Sequence, residues 1–295
     1  MILSGTDLSL QVKTKINGLS SKFEKKFGRK PSLAVVLVGE DPASCIYVKN
    51  KIKACEESGI SHVDYRLDSS ISQNELLELV KKLNADEKID GILVQLPLPS
   101  QIDENFIINS IVPCKDVDGF TPENIGHLLV GDKGLVSCTP KGILRILDYY
   151  KISTDGKNVC VIGRSNIVGK PIAALLMQKD RNATVTVCHT HTKNLKAITI
   201  QSDIIISASG KPHIITQDMI KEGAVLIDVG MSRIEDKTKK SGYRLVGDVD
   251  FENVFEKASA ITPVPGGVGP MTIAMLMENT LVAACVNKGT EVDKL

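Results

Sequence analysis

Cysteine pairs of the CxxC type are missing from these 295 residues. The seven cysteines, Cys45, Cys55, Cys114, Cys138, Cys160, Cys188 and Cys285, stand apart, several inside apolar runs. That pattern argues against a metal site or a disulfide framework and for reduced core thiols in a cytoplasmic protein. An excess of charge is missing too: 36 basic residues face 35 acidic ones, a net charge of +1. A nucleic-acid protein needs a basic field to neutralise phosphates, and an anionic membrane surface makes the same demand. The first ten residues lack a basic stretch followed by an apolar run, so no secretory signal is expected. No uncharged run reads as a bilayer span. There is no repeat at solenoid period, no low-complexity tract and no cluster of metal-ligating residues. What remains is an ordinary globular balance, 42% hydrophobic and 24% charged, with a length that fits two domains.

Strand-like apolar runs at 32–38, 62–67, 91–96, 159–162, 184–188, 204–207 and 224–229 alternate with helix-like segments. The alternation predicts an α/β protein with parallel sheets covered by helices, and most runs are continuously apolar, as strands buried on both faces should be. Asp41-Pro42 precedes a helix stopped by Gly59, and Ser72 caps another. Thr121-Pro122 and Thr139-Pro140 each place a capping hydroxyl before a proline at the first helical position. The loop 235–242 is charged and expected to be exposed. A second βαβ series starts near Asn158. The expected division is therefore a first domain of residues 1–140 plus 270–295 and a second of residues 141–269, with the last helix returning to the first.

The strand ending at Ile162 runs into Gly163-Arg164-Ser165-Asn166-Ile167-Val168-Gly169-Lys170-Pro171 and an apolar helix. Glycine lets the backbone turn sharply and approach a pyrophosphate, and the following helix offers free N–H groups and a positive dipole end. The spacing is not the usual GxGxxG, and a tight strand–helix turn without a ligand would look similar. NAD sites commonly carry an acid at the end of the next strand. Here that end reads His189-Thr190-His191-Thr192-Lys193, without one. With Arg164 and Ser165 in the first turn, the pocket suits a 2′-phosphate, which favours NADP over NAD. The two histidines are read first as parts of a solvated loop.

On the helix after Asp41, at about 100° per residue, Cys45, Val48, Ile52 and Cys55 share one arc. Lys49, Asn50, Lys53, Glu56 and Glu57 fall opposite. Lys51 leaves these charges and sits beside Tyr47 on the flank of the apolar stripe. It is either a lysine snorkelling at the core edge or a residue of a binding cleft. Gln95 interrupts the apolar run at a strand's carboxyl end, where open α/β sheets bind ligands. Asp116 and Asp118 lie in a tight loop where Asx turns and caps are common. The loop 262–270, Thr-Pro-Val-Pro-Gly-Gly-Val-Gly-Pro, is stiff at its ends and bare in the middle, fit for close ligand approach. One Xaa-Pro bond there or at Leu98-Pro99 is a candidate for cis.

Together the Tyr47-xxx-Lys51 helix, the Val94-Gln95-Leu96-Pro97-Leu98-Pro99 strand end and the loop running from Thr262 through Met271-Thr272 resemble the methylenetetrahydrofolate dehydrogenase/cyclohydrolase family. Further matching stretches follow the family's order over nearly the whole chain. The resemblance implies an N-terminal α/β folate-binding domain and a Rossmann-type NADP-binding domain. It implies two activities: NADP-dependent oxidation of 5,10-methylenetetrahydrofolate to the methenyl form, and hydrolysis of that to 10-formyltetrahydrofolate. Lys51 would serve the hydrolysis, Gln95 would orient Lys51, Tyr47 would stack on the folate ring, and Asp118 would hydrogen-bond the pterin edge. Val94, Leu96, Pro265 and Gly266 would add substrate contacts. Gly163, Arg164, Ser165, Ile167, Gly169, Thr190 and Gly230 would hold NADP. No metal is implied, and a homodimer through the nucleotide-binding domains is. Ser137, where a proline is common, and His191, in a segment that is often Ser-x-Thr, depart from the pattern. A hydroxy-acid dehydrogenase of the same plan would not require Tyr47, Lys51 and the 265–267 loop together. A dinucleotide-sensing repressor would need a basic helix-turn-helix, which is not found.

Overall fold

Six consecutive apolar residues follow Ser32 in β1 (Ser32–Val38), and all seven residues of the strand are buried. In the computed structural model, which describes residues 1–239 and 242–295, the chain divides into two compact units. The first comprises residues 10–138 and 273–295, and the second residues 1–9 and 139–272. The elements up to the boundary are α1 (Gly5–Phe27), β1, α2 (Pro42–Glu57), β2 (Ser61–Leu67), α3 (Gln73–Ala85), β3 (Gly91–Val94), α4 (Glu104–Asn109) and α5 (Pro122–Val130). Its parallel sheet has the order β2-β1-β3. Alternate residues of β1 and β3, namely Ala34, Val36, Val38, Ile92 and Val94, pack on Leu76, Val80 and Leu83 of α3 and Ile107 of α4. A fully buried Val or Leu contributes about 1.5–3 kcal/mol relative to exposure, so Val36→Asp in the middle of β1 would undo this layer. Helix α2 starts where expected, because Asp41 accepts from Ser44 N at 2.8 Å. Ser72 and Glu75 form a capping box on α3.

The second unit holds α6 (Cys138–Tyr149), β4 (Asn158–Ile162), α7 (Gly169–Leu176), β5 (Thr184–Cys188), α8 (Leu195–Thr199), β6 (Ile204–Ser207), β7 (Val225–Asp228), β8 (Ser232–Glu235), β9 (Tyr243–Val246), α9 (Phe251–Val254) and β10 (Ala260–Ile261), and it contains the start of α10 (Val268–Asn287). Its parallel sheet runs β10-β7-β6-β4-β5, while β8 and β9 pair antiparallel as a separate hairpin. Strand order reverses between β4 and β6, the place where dinucleotides bind in such sheets.

Several expectations differ from what is observed. Residues 1–9 belong with the second unit because Ile2 bridges Ile261, and Leu3 N donates to Ile261 O at 2.8 Å. Strands β2 and β5 are partly exposed; each is the edge strand of its sheet. Thr121 precedes α5 but its hydroxyl makes no capping bond, and Thr139 lies inside α6, where its hydroxyl meets Thr272 Oγ1 at 2.9 Å. Among the described residues the cis bonds are Leu96-Pro97 and Val264-Pro265, so the first falls one Leu-Pro step before Leu98-Pro99. The hairpin flanks the charged loop at 235–242, of which residues 240 and 241 lie outside the described residues. By length and apolarity α10 could cross a membrane, yet 67% of its apolar window is buried, and residues 273–295 belong to the first unit. Cys55, Cys138, Cys160, Cys188 and Cys285 are buried, Cys45 is half-buried, and Cys114 is exposed.

Candidate active site

In the first unit the inward stripe of α2 is Ser44, Val48, Ala54 and Cys55, all buried, with Lys51 half-buried on the same side. Lys49, Asn50, Lys53, Glu56 and Glu57 are exposed, as the helical wheel requires. Lys51 does not snorkel outward. Its Nζ donates to Gln95 Oε1 at 2.9 Å. Gln95 follows β3 immediately, and its backbone N continues the ladder to Val36 O at 2.8 Å. Its side-chain Nε2 donates to Leu96 O at 2.7 Å, which turns Oε1 toward the lysine. Tyr47, one turn before Lys51, is 37% exposed.

The loop after Lys115 separates its two acids by role. Asp116 is buried and accepts from Gly119 N at 3.0 Å, Thr121 N at 2.7 Å and Asn124 Nδ2 at 3.0 Å. It is the Asx-type brace of the turn. Asp118 receives no hydrogen bond among the described residues. Loss of hydration pushes its carboxyl group up to about 6, the Lys51 ammonium partly offsets this, and Asp116 adds to it. The backbone around Asp118 is fixed: Gly119 has φ of +69°, and a Cβ there would lie 2.6 Å from Ser137 N.

One residue that fixes this loop was not legible in the sequence. Asn279, fully buried on α10, donates from Nδ2 to Val117 O and Val136 O, both at 2.8 Å. The signal available was weak, because Asn279 stands between Glu278 and Thr280 in the middle of a mostly apolar helix. Of the expected substrate residues, Tyr47, Lys51, Gln95 and Asp118 fall in the first unit, as does Val94, whose side chain is buried in the core and can offer a ligand only its backbone. Leu96 packs partly against the same core. Lys115, next to the acids, is occupied structurally, its Nζ donating to Leu83 O, Asn84 O and Asp86 O at 2.8–3.0 Å.

The turn after β4 in the second unit is built for close approach. Gly163 has φ of +116°, and a Cβ there would lie 2.3 Å from Ala208 O; one on Gly169 would lie 2.2 Å from Gly163 O. Ser165 Oγ accepts from Val168 N at 3.1 Å at the start of α7. Arg164, Ser165, Ile167 and Thr190 are exposed, and no ion pair holds Arg164 among the described residues. His191 N donates to His189 Nδ1 at 3.2 Å and His189 N to Thr192 Oγ1 at 2.8 Å, so the loop after β5 is knit internally and contains no acid. These residues fit a phosphate-bearing dinucleotide. Pro265 and Gly266 lie in the second unit, where Gly5 N and Thr6 N donate to Gly266 O at 2.9 and 3.0 Å. Gly230 follows β7, also in the second unit. Among the described residues no group of three His, Cys, Asp or Glu could hold a metal ion.

A dinucleotide-type α/β unit joined to a second α/β unit bearing a lysine–glutamine–acid cluster defines a two-part nucleotide-dependent enzyme. Residues 3–118 match the model of the tetrahydrofolate dehydrogenase/cyclohydrolase catalytic domain, and residues 137–288 match that of the family's NAD(P)-binding domain. The chain is 53% identical over 284 residues to the bifunctional protein FolD of Chlorobium phaeobacteroides, covering 95% of both chains. The crystal structure of the bifunctional FolD methylenetetrahydrofolate dehydrogenase/cyclohydrolase from Campylobacter jejuni superposes with a TM-score of 0.91 at 49% identity, over 96% of this chain and 98% of that one. That of the Trypanosoma brucei dehydrogenase-cyclohydrolase, complexed with NADP and an inhibitor, gives 0.91 at 37% identity, over 96% and 97%. The chain belongs to the tetrahydrofolate dehydrogenase/cyclohydrolase family.

Proposed function

We propose that this chain oxidises 5,10-methylenetetrahydrofolate to 5,10-methenyltetrahydrofolate with NADP and hydrolyses the product to 10-formyltetrahydrofolate. The observation that carries the reading is the Lys51–Gln95 hydrogen bond at 2.9 Å beside an Asp118 without a hydrogen-bond partner among the described residues. The first unit binds the folate and the second binds NADP. Asp118 accepts from the pterin amino and ring N–H groups, and Tyr47 stacks on the ring. In the oxidation, the folate nitrogen lone pair assists departure of hydride from the methylene carbon. The protein's contribution there is orientation. NADP supplies the hydride acceptor when bound. Arg164, with Ser165 and Thr190, receives its 2′-phosphate, and the glycines at 163 and 169 admit its pyrophosphate.

In the hydrolysis, water adds to the methenyl carbon, a proton leaves the added water, and the ring opens as a folate nitrogen takes up a proton. Lys51, held by Gln95, is the group placed for these transfers. The chain works in the cytoplasm as a homodimer joined through its nucleotide-binding units. Its near-zero net charge supports small-molecule substrates over nucleic acid or a membrane surface.

The test is an absorbance assay with methylenetetrahydrofolate and either NADP or NAD, following NADPH and the methenyl compound separately. The expected result is reduction of NADP with little standing methenyl intermediate. No reduction of either cofactor, or reduction with no enzyme-dependent loss of added methenyltetrahydrofolate, overturns the reading.

A further inference from the structure

Two buried aspartates in the second unit clasp each other's glycines. Asp228 ends β7 and is followed by Val229-Gly230; Gly247-Asp248-Val249 follows β9. A Cβ on Gly230 would lie 2.1 Å from Asp248 Oδ1, and one on Gly247 would lie 1.9 Å from Asp228 Oδ2. Each carboxylate therefore fills the space that a side chain on the opposite glycine would need. Asp228 Oδ1 accepts from Gly230 N and Asp248 N, and its Oδ2 from Val249 N, all at 2.9 Å. Asp248 Oδ2 accepts from Ser207 Oγ at 2.9 Å, Ser209 N at 2.7 Å, Ser209 Oγ at 2.9 Å and Gly210 N at 3.2 Å. Asp228 N donates to Thr262 Oγ1 at 2.7 Å, so the segments after β6, β7, β9 and β10 converge on one pair of acids.

Nothing in the packing of a sheet requires this. Asp228 and Asp248 are 3% and 0% exposed, and no cation pairs with either among the described residues. Burial pushes the Asp228 carboxyl group up to about 6. Asp248 Oδ1 has no hydrogen-bond partner among the described residues, an arrangement that costs stability. Buried acids kept at such a cost point to a function in the backbone they hold.

Position says which function. The segments 207–210 and 228–230 lie at the carboxyl ends of β6 and β7, on the far side of the point where strand order reverses between β4 and β6. The Gly163 turn and Arg164 lie on the β4–β5 side, which takes the pyrophosphate and the 2′-phosphate half of the dinucleotide. The β6–β7 side is left for the nicotinamide half. Ala208, inside the clasped segment, has its carbonyl against Gly163, so the clasp also fixes one wall of the phosphate turn.

We propose that Asp228 and Asp248 are positioning residues for the nicotinamide half of NADP, setting the 207–210 and 228–230 backbone against which the ring is oriented. They act through that backbone and not by touching the cofactor. The proposal rests on reading the second unit as the NADP site.

The test uses the full-length protein with Asp248→Asn and, separately, Ser209→Ala. Ser209→Ala removes one donor from the clasp while leaving both buried acids. Three quantities are measured: dehydrogenase kcat at saturating NADP, NADP affinity by calorimetry, and hydrolysis of added methenyltetrahydrofolate without cofactor. A loosened ring should lower dehydrogenase kcat about tenfold or more in Asp248→Asn and about threefold in Ser209→Ala, since misplacement of reacting atoms is felt steeply in rate. NADP affinity should change less than kcat, and hydrolysis should stay within about twofold. Parallel loss of all three in Asp248→Asn, or unchanged kcat in either variant, overturns the proposal. If Asp248→Asn does not fold, Ser209→Ala decides alone. A wild-type protein that fails to bind NADP would instead sink the cofactor reading.

Discussion

Gln95 holds Lys51 with its carbonyl oxygen at 2.9 Å because its amide nitrogen is committed to Leu96 O at 2.7 Å. A glutamine whose two ends are thus distinguished fixes the place of the ammonium as well as its company. In Gln95→Ala the lysine keeps its charge and loses its anchor, so cyclohydrolase activity should fall about 10- to 100-fold, less than the roughly 100- to 10,000-fold that a general acid–base group itself supplies. Lys51→Met keeps the apolar stem and removes the ammonium. It should lose about 100- to 10,000-fold in hydrolysis, retain measurable dehydrogenase activity and accumulate the methenyl compound. Near-normal hydrolysis by a folded Lys51→Met protein would remove Lys51 from the chemistry.

Cofactor choice is a separate matter, located in the second unit. Arg164 is exposed and unpaired among the described residues, and the loop after β5 offers no carboxylate to a ribose hydroxyl. Arg164→Ala should raise KM for NADP at least tenfold, the scale of a lost charge-assisted pair of about 1.5–3 kcal/mol, and leave KM for NAD within about twofold. Equal losses for both cofactors would show that Arg164 does not read the extra phosphate.

Much of this was legible in the sequence, and the reason is local. β1 and β3 announce themselves as unbroken apolar runs, α2 and α3 by side chains that accept from their own first-turn N–H groups, and Lys51 by its angular separation from the other charges. What was not legible depends on partners distant in sequence. Residues 1–9 leave the first unit because Ile2 and Leu3 meet Ile261, and Gly5 and Thr6 meet Gly266. The roles of Asp116 and Asp118 in one short loop diverge because Asn124, eight residues from Asp116, is one of the partners that claim the first acid. The clasp of Asp228 and Asp248 joins strand ends whose register no local pattern encodes.

Asn279 illustrates the same dependence and gives a stability prediction. Its Nδ2 satisfies two backbone carbonyls, Val117 O and Val136 O, and the residue is fully buried. Asn279→Ala leaves both carbonyls without that donor and opens a small void. The expected loss is about 1–3 kcal/mol, read as a lower denaturation midpoint. Because Val117 precedes Asp118, KM for folate should rise in both reactions while NADP affinity holds. An unchanged midpoint with unchanged KM would mean that the loop keeps its form without α10.

The raised Asp118 carboxyl group sets a pH dependence whose sign can be worked out. Its ordinary value is 3.8 and its value in the folded protein is about 6, with loss of hydration the main cause. The folded protein therefore holds this proton more tightly than the unfolded chain does, so stability from Asp118 is fully present below about 3.8 and is lost as pH rises through about 6. Asp228, also pushed up to about 6 by burial, adds a second contribution of the same sign, so Asp118→Asn should remove only part of the decline. Substrate recognition runs the other way. The ionised carboxylate accepts from the pterin N–H groups, and protonation replaces an acceptor with a donor. The kcat/KM for methylenetetrahydrofolate reports groups of the free enzyme. It should therefore fall on the acid side with an apparent pKa near 6, at constant saturating NADP. In Asp118→Asn the whole profile should drop and that acid limb should disappear. An acid limb that persists unchanged in the variant would assign the titration to another group and take Asp118 out of folate recognition.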